Sequence, residues 1–345
     1  MKLVRILFII IITFAIFSFA NVIPTDYYFE IPKNFPKPVY DFKNNPITEE
    51  GFQLGRKLFY DPILSKDNTI SCASCHLQQT GFTHVDHELS HGINGKIGTR
   101  NSLTLQNLAW NNHFMWDGSI NHLDVQYLAP ITSEVEMDEK MENVVEKLNN
   151  NKIYQNLFYK IFRTNTITGQ QIMKTLSQFV VSLTTANSKY DRVIRKELNF
   201  TEIEQKGYNL FKVKCASCHT EPLFTNNNFE NNGLILDNEL QDFGRMRVTE
   251  NENDKQKFKV PTLRNIQFTF PYMHDGRFKT LNEVILHYNN GIQKSKTLSE
   301  KLKKPLLLTN NQRTELLAFL KTLTDEEFLF NPRFGFPKEN VSYKQ

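Results

Sequence analysis

Cysteine is scarce in this chain, with four residues in 345. That is too few for a disulfide-stapled scaffold. Charge of one sign is scarce too. Lys and Arg number 41 against 37 Asp and Glu, a net charge of +4, and no basic cluster stands out along the sequence. The balance argues against a nucleic-acid partner. No stretch after residue 20 is long and apolar enough to span a bilayer. Hairpin signals and alternating strands are missing, so β structure is expected to be minor. Disorder is excluded by what is abundant: 40% hydrophobic residues and 28 Phe supply ample apolar surface to offset ordering entropy.

The first 20 residues read as an export signal. Lys2 and Arg5 precede an almost wholly apolar run from Ile6 to Ala20, and Ser18 and Ala20 place small residues at −3 and −1 of a cleavage point. The mature protein is expected in the periplasm. An exported chain could spend its cysteines on disulfides, but here they occur only as Cys72-Ala73-Ser74-Cys75-His76 and Cys215-Ala216-Ser217-Cys218-His219. Two Cys-x-x-Cys-His motifs outside the cytoplasm indicate two covalently bound haem c groups. Each thiol pair can form thioethers to one haem's vinyl groups, and His76 or His219 then offers its imidazole to the iron. A zinc knuckle would need further ligands at tight spacing, and a thioredoxin-like motif should follow a strand; neither pattern is present.

The sequence repeats loosely. Gly55-Arg56-Lys57-Leu58-Phe59 precedes the first motif and Gly207-Tyr208-Asn209-Leu210-Phe211 the second. Downstream, Thr104-Leu105-Gln106-Asn107 leads to Trp116-Asp117-Gly118, and Thr262-Leu263-Arg264-Asn265 leads to His274-Asp275-Gly276. The fold class expected is mainly α, with two cytochrome c-like haem domains related by internal duplication. Helices are predicted at 168–187, at 201–211, and after Thr309, the first two opening on capping boxes at Thr168/Gln171 and Thr201/Glu204. The domain reading is a signal peptide (1–20), a Pro-rich leading segment (21–50), a first haem domain (51–198), a second haem domain (199–325) and a polar C-terminal tail (326–345).

With these motifs in order, the chain resembles the bacterial dihaem cytochrome c peroxidases over roughly residues 45–325. The resemblance rests further on Gly98-Thr99-Arg100-Asn101-Ser102, Phe114-Met115-Trp116-Asp117-Gly118, Val135-Glu136-Met137, Val260-Pro261-Thr262-Leu263-Arg264-Asn265 and Pro271-Tyr272-Met273-His274-Asp275-Gly276. It implies hydrogen peroxide as substrate at the first haem, and a small electron-donor protein such as cytochrome c serving the second. It makes Glu136 the catalytic glutamate, Gln126 the distal glutamine and Trp116 the inter-haem tryptophan. It also implies calcium held by Asn101 and the backbone carbonyls of Thr269 and Pro271.

Two departures limit that resemblance. The family's second haem has a methionine as sixth ligand, but the matching position here is Tyr288, and no methionine follows Met273. A tyrosine ligand resembles the related dihaem enzymes of methylamine utilisation, which oxidise a protein substrate; His287 is the neighbouring alternative. The family's distal histidine at the first haem matches His91 only with a shifted gap, and His84 and His87 share its loop. The rival readings are thus a dihaem enzyme acting on a protein and a non-catalytic dihaem electron carrier. The sequence leaves the oligomeric state open, a homodimer included.

Overall fold

The computed structural model describes residues 29–337. The expected signal peptide at residues 1–20 lies outside the described residues. The fold is mainly α, as expected: helices and 3₁₀ turns are linked by long loops, and the one sheet among the described residues is a two-stranded pair, Phe229–Glu230 against Phe258–Lys259.

Two helix pairs organise the molecule. In the first, Glu49–Tyr60 packs on Gly169–Val181; in the second, Glu202–Lys214 packs on Asn310–Lys321. The helices start where local chemistry favours it. Thr168, Thr201 and Thr309 each accept from the backbone N–H three residues on, while Gln171, Glu204 and Gln312 bond back to the cap.

Each pair crosses at a glycine of the repeated motif. A Cβ on Gly55 would lie 2.2 Å from the Thr175 carbonyl oxygen, and one on Gly207 would lie 1.9 Å from that of Glu315. Only hydrogen fits at either crossing. Beside these contacts sit two apolar cores, one around Phe52, Phe59, Phe82 and Phe179, the other around Phe211, Phe224, Phe319 and Leu323. The loop after each core repeats in backbone detail. Asn107 and Asn265 both take φ of 57°, Met115 and Met273 take φ of 64° and 77°, and Gly118 and Gly276 take 67° and 71°. Antiparallel bridges Phe114–Ile120 and Tyr272–Phe278 close the two turns.

The segment expected as a polar tail, 326–345, is otherwise over its described part. Glu326–Leu329 is helical, and Phe328, Leu329 and Phe334 are buried in the first core, not the second. Asp325 fixes this return: its carboxylate accepts from the backbone N–H groups of Ala186 and Asn187 and from the Thr185 hydroxyl. The aromatic side chains that this segment buries outweigh its polar composition.

Candidate functional site

The first Cys-x-x-Cys stretch forms a single helical turn, Cys72–Cys75, and His76 follows as its C-cap. His76 Nδ1 lies 2.8 Å from the Phe82 carbonyl oxygen. A carbonyl can only accept, so Nδ1 carries the proton and Nε2 presents its lone pair. The second motif repeats this arrangement, with His219 Nδ1 3.1 Å from the carbonyl oxygens of both Phe224 and Pro261. Burial pushes His219 down to about 4, so its imidazole is neutral at physiological pH. None of the four cysteines is drawn into a disulfide. Burial pushes Cys72 up to about 12, Cys75 to about 11 and Cys215 to about 12. Paired thiols beside an imidazole of fixed tautomer are the donor set that a haem c requires. Phe82 and Phe224, which orient the imidazoles, are not discernible from sequence, because the contact is made by backbone carbonyls.

Around the first motif, Cys75 Sγ lies 3.4 Å from the His91 carbonyl oxygen, and Gly92-Ile93 packs against the backbone of Glu136. Glu136 is half-buried and its carboxyl is pushed above the usual carboxylate range by burial alone. Its charge bears on both Cys72 and Cys75, which places it at the attachment turn. Gln126 donates through Nε2 to the Met115 thioether at 2.9 Å, leaving a buried Oε1 with no partner. The rings of His84, His87 and His91 form a row, with centroid separations of 4.9 and 4.0 Å. Burial lowers His84, whose buried Nδ1 also lacks a partner.

Around the second motif lies a largely apolar cavity walled by Trp116, Cys215, Cys218, His219, Met273 and Tyr288. Trp116 is held by its indole N–H, which donates to the Asn101 carbonyl oxygen at 2.8 Å. Tyr288 sits in a π-helical turn, His287–Gly291, an irregularity common at functional sites. Burial pushes its phenol up to about 12. His287 is engaged elsewhere, its Nε2 donating to the Asn232 carbonyl oxygen at 2.9 Å, and it does not line the cavity. Met273 does, with its thioether accepting from the Asn232 amide at 3.3 Å. Sequence reasoning passed over Met273 because it searched only the residues beyond it. Asn101, Thr269 and Pro271 also line this cavity, and the Asn101 carboxamide is hydrogen-bonded to the Pro271 carbonyl oxygen. Turning that carboxamide end for end would put two oxygens face to face, a partial set for a hard cation.

Known proteins bear on this arrangement. Residues 49–199 match the family model described as di-haem cytochrome c peroxidase. The chain is 33% identical to the methylamine utilization protein MauG of Methylorubrum extorquens, across 86% of this chain and 84% of that one. It is also 33% identical to the cytochrome c551 peroxidase of Nitrosomonas europaea, across 85% and 84%. Among solved structures, a MauG-like protein associated with microbial copper homeostasis superposes with a TM-score of 0.79 at 33% identity, covering 90% of this chain and 99% of that one. Matches of this extent, together with two His-and-thiol sites of the same construction, establish that the chain belongs to the dihaem cytochrome c peroxidase family.

Proposed function

We propose that the protein is a periplasmic peroxidase that reduces hydrogen peroxide to two waters, using two protons and two electrons taken singly from a small redox carrier. The observation that carries the reading is the pairing of a half-buried Glu136, to which no cation is bonded among the described residues, with the first Cys-x-x-Cys-His turn. Cys72, Cys75 and His76 would hold one covalent haem, and Cys215, Cys218 and His219 the other, in two domains related by duplication. The haems supply an iron that takes peroxide and a second that passes on electrons. The protein's own part is proton management. The raised carboxyl of Glu136 can carry a proton from one peroxide oxygen to the other, while the unpaired Oε1 of Gln126 accepts a hydrogen bond from a peroxide O–H. Trp116 places a large π-system in the wall of the second cavity. A calcium ion at Asn101, Thr269 and Pro271 would brace that wall. His91 would be a reversible ligand at the first site.

Replacing Cys215 and Cys218 with Ala should leave at most one covalent haem by pyridine haemochrome assay; two would refute the attachment. A peroxide- or cyanide-induced change in the optical spectrum separates an enzyme from a plain electron carrier.

Tyr288 favours a second reading, an enzyme of the same family that oxidises a protein. It lines the second cavity where His287 does not. A phenolate ligand stabilises oxidised iron and lowers its potential, making that haem a poor entry point for electrons. Tyr288→Phe keeps the ring and removes only the oxygen. Under this reading it alters the second haem's EPR spectrum and raises its potential; unchanged values return the assignment to an ordinary peroxidase.

A further inference from the structure

A lysine of the second cavity has no role in the reading above. Lys259 lies in the short strand Phe258–Lys259, is 5% exposed, and lines the cavity with Trp116 and His219. Its backbone N–H donates to the Trp116 carbonyl oxygen at 2.7 Å, so one strand holds both the lysine and the tryptophan. Among the described residues no carboxylate answers its ammonium group. Burial is the sole influence on it, pushing it down to about 8. An unpaired buried ammonium is strongly unfavourable, so its position calls for an anion or for loss of its proton.

The other cations of the cavity are placed differently. Lys301 bonds to Glu230 at 3.0 Å and lies 3.6 Å from Cys218 Sγ; Lys214 reaches the Leu306 carbonyl oxygen and bears on Cys215. Both therefore sit at the thiol edge. Glu230, the one acid in the cavity wall, is taken by Lys301. With three lysines against one acid, the cavity has two cations in excess, Lys214 at the thiol edge and Lys259 on the strand bonded to Trp116. A haem carries two propionates on the pyrrole rings that do not bear the vinyl groups, so a haem tied at the cysteines turns its anionic edge away from Lys301.

We propose that Lys259 is the cation that receives a propionate of the second haem, fixing the haem's rotation in the cavity and raising its reduction potential. The inference rests on the haem-binding reading of Cys215, Cys218 and His219. A positive charge against the porphyrin edge stabilises the reduced iron more than the oxidised iron, which gives the sign of the shift.

The test uses the holoprotein, with Lys259→Met removing the charge at similar length and Lys259→Arg keeping it. Pyridine haemochrome stoichiometry comes first: fewer than two haems in the unaltered protein defeats the underlying haem reading, whatever Lys259 does. With two haems present, Lys259→Met should disfavour reduction of the second haem by about tenfold or more, about 59 mV for a one-electron couple, and leave the first unchanged. Lys259→Arg should lie close to the unaltered protein. An unchanged second potential in Lys259→Met overturns the proposal. Should that variant not fold, resonance Raman of the unaltered protein decides: propionate bending bands of an ion-paired group support it, and those of free propionates overturn it.

Discussion

Six residues from Glu134 to Glu139 include four acids, and composition gives no means of choosing among them. The structure separates them by partner. Glu134 is exposed, Asp138 pairs with Lys66 at 2.9 Å, and Glu139 is buried but bonded to Lys147 at 2.6 Å. Glu136 alone has burial without a cation, so its carboxyl holds its proton to higher pH than an exposed glutamate. That difference has two consequences of opposite sign. Glu136→Gln should lose at least about 100-fold in peroxide turnover, since a positioned proton carrier typically contributes about 10²–10⁴-fold. Glu134→Gln should turn over normally. Stability should move the other way. The folded state binds the Glu136 proton more tightly than the unfolded state, so this residue disfavours folding increasingly as pH rises from the unfolded value through the folded one. Urea melts across that window should show Glu136→Gln gaining on the unaltered protein as pH increases and matching it at the acidic end. A constant difference would mean that the carboxyl titrates as an ordinary surface group.

At the scale of elements, the repeated Gly-x-x-Leu-Phe stretches explain why the two helix pairs look alike. Gly55 and Gly207 let one helix touch the backbone of another, while Phe59 and Phe211, four residues on, are each buried in a core. Gly207→Ala places a methyl 1.9 Å from the Glu315 oxygen, so the helices must separate. We expect a loss of about 1–3 kcal/mol by thermal or urea unfolding, as for other overpacked interiors. Gly95 has nothing within 4 Å of an added Cβ but takes φ of 69°, so Gly95→Ala tests backbone strain without a clash. The contrast also marks what could be read in advance. The capping boxes at Thr168 and Thr201 were legible because cap and partner are three residues apart. The carbonyls that orient His76 and His219 were not, since any residue could supply them. Nor was the ion pair of Arg264 with Asp191, 2.8 Å and almost wholly buried, whose partners are 73 residues apart. Lys259 was hidden for a related reason, because a two-residue strand has no period to show that its lysine faces inward.

For the molecule as a whole, the small net charge conceals an asymmetry that the linear sequence did not reveal. Lysines 206, 212 and 214 lie on one helix, the last two in its final turn, and lysines 294, 296, 301, 303 and 304 lie in a connecting segment about 80 residues later, with Glu300 the one acid in residues 206–214 and 294–304. Folding brings the helix end and the 301–306 segment together, since Lys214 reaches the Leu306 carbonyl oxygen and both Lys214 and Lys301 line the second cavity. All eight lysines are exposed, and the same two stretches carry or adjoin two exposed apolar side chains, Val213 at 79% and Leu307 at 74%. The rest of the chain therefore carries a slight acidic excess, and the second cavity opens on the basic side. An apolar centre with a charged rim suits brief docking of a redox carrier, in which long-range attraction sets the encounter rate and apolar contact permits rapid release. A carrier docking on this rim would need an acidic face. With such a donor, KM should rise steeply as salt is added, because charges on an exposed surface are screened beyond about 10 Å at 0.1 M. A basic donor should be poor at low salt and improve as salt screens the repulsion. Reversing two rim charges, Lys296→Glu with Lys304→Glu, should flatten or invert both trends while leaving peroxide-induced spectra untouched. If both donors respond to salt alike, electrons enter elsewhere, and the face at the second cavity is not the docking surface.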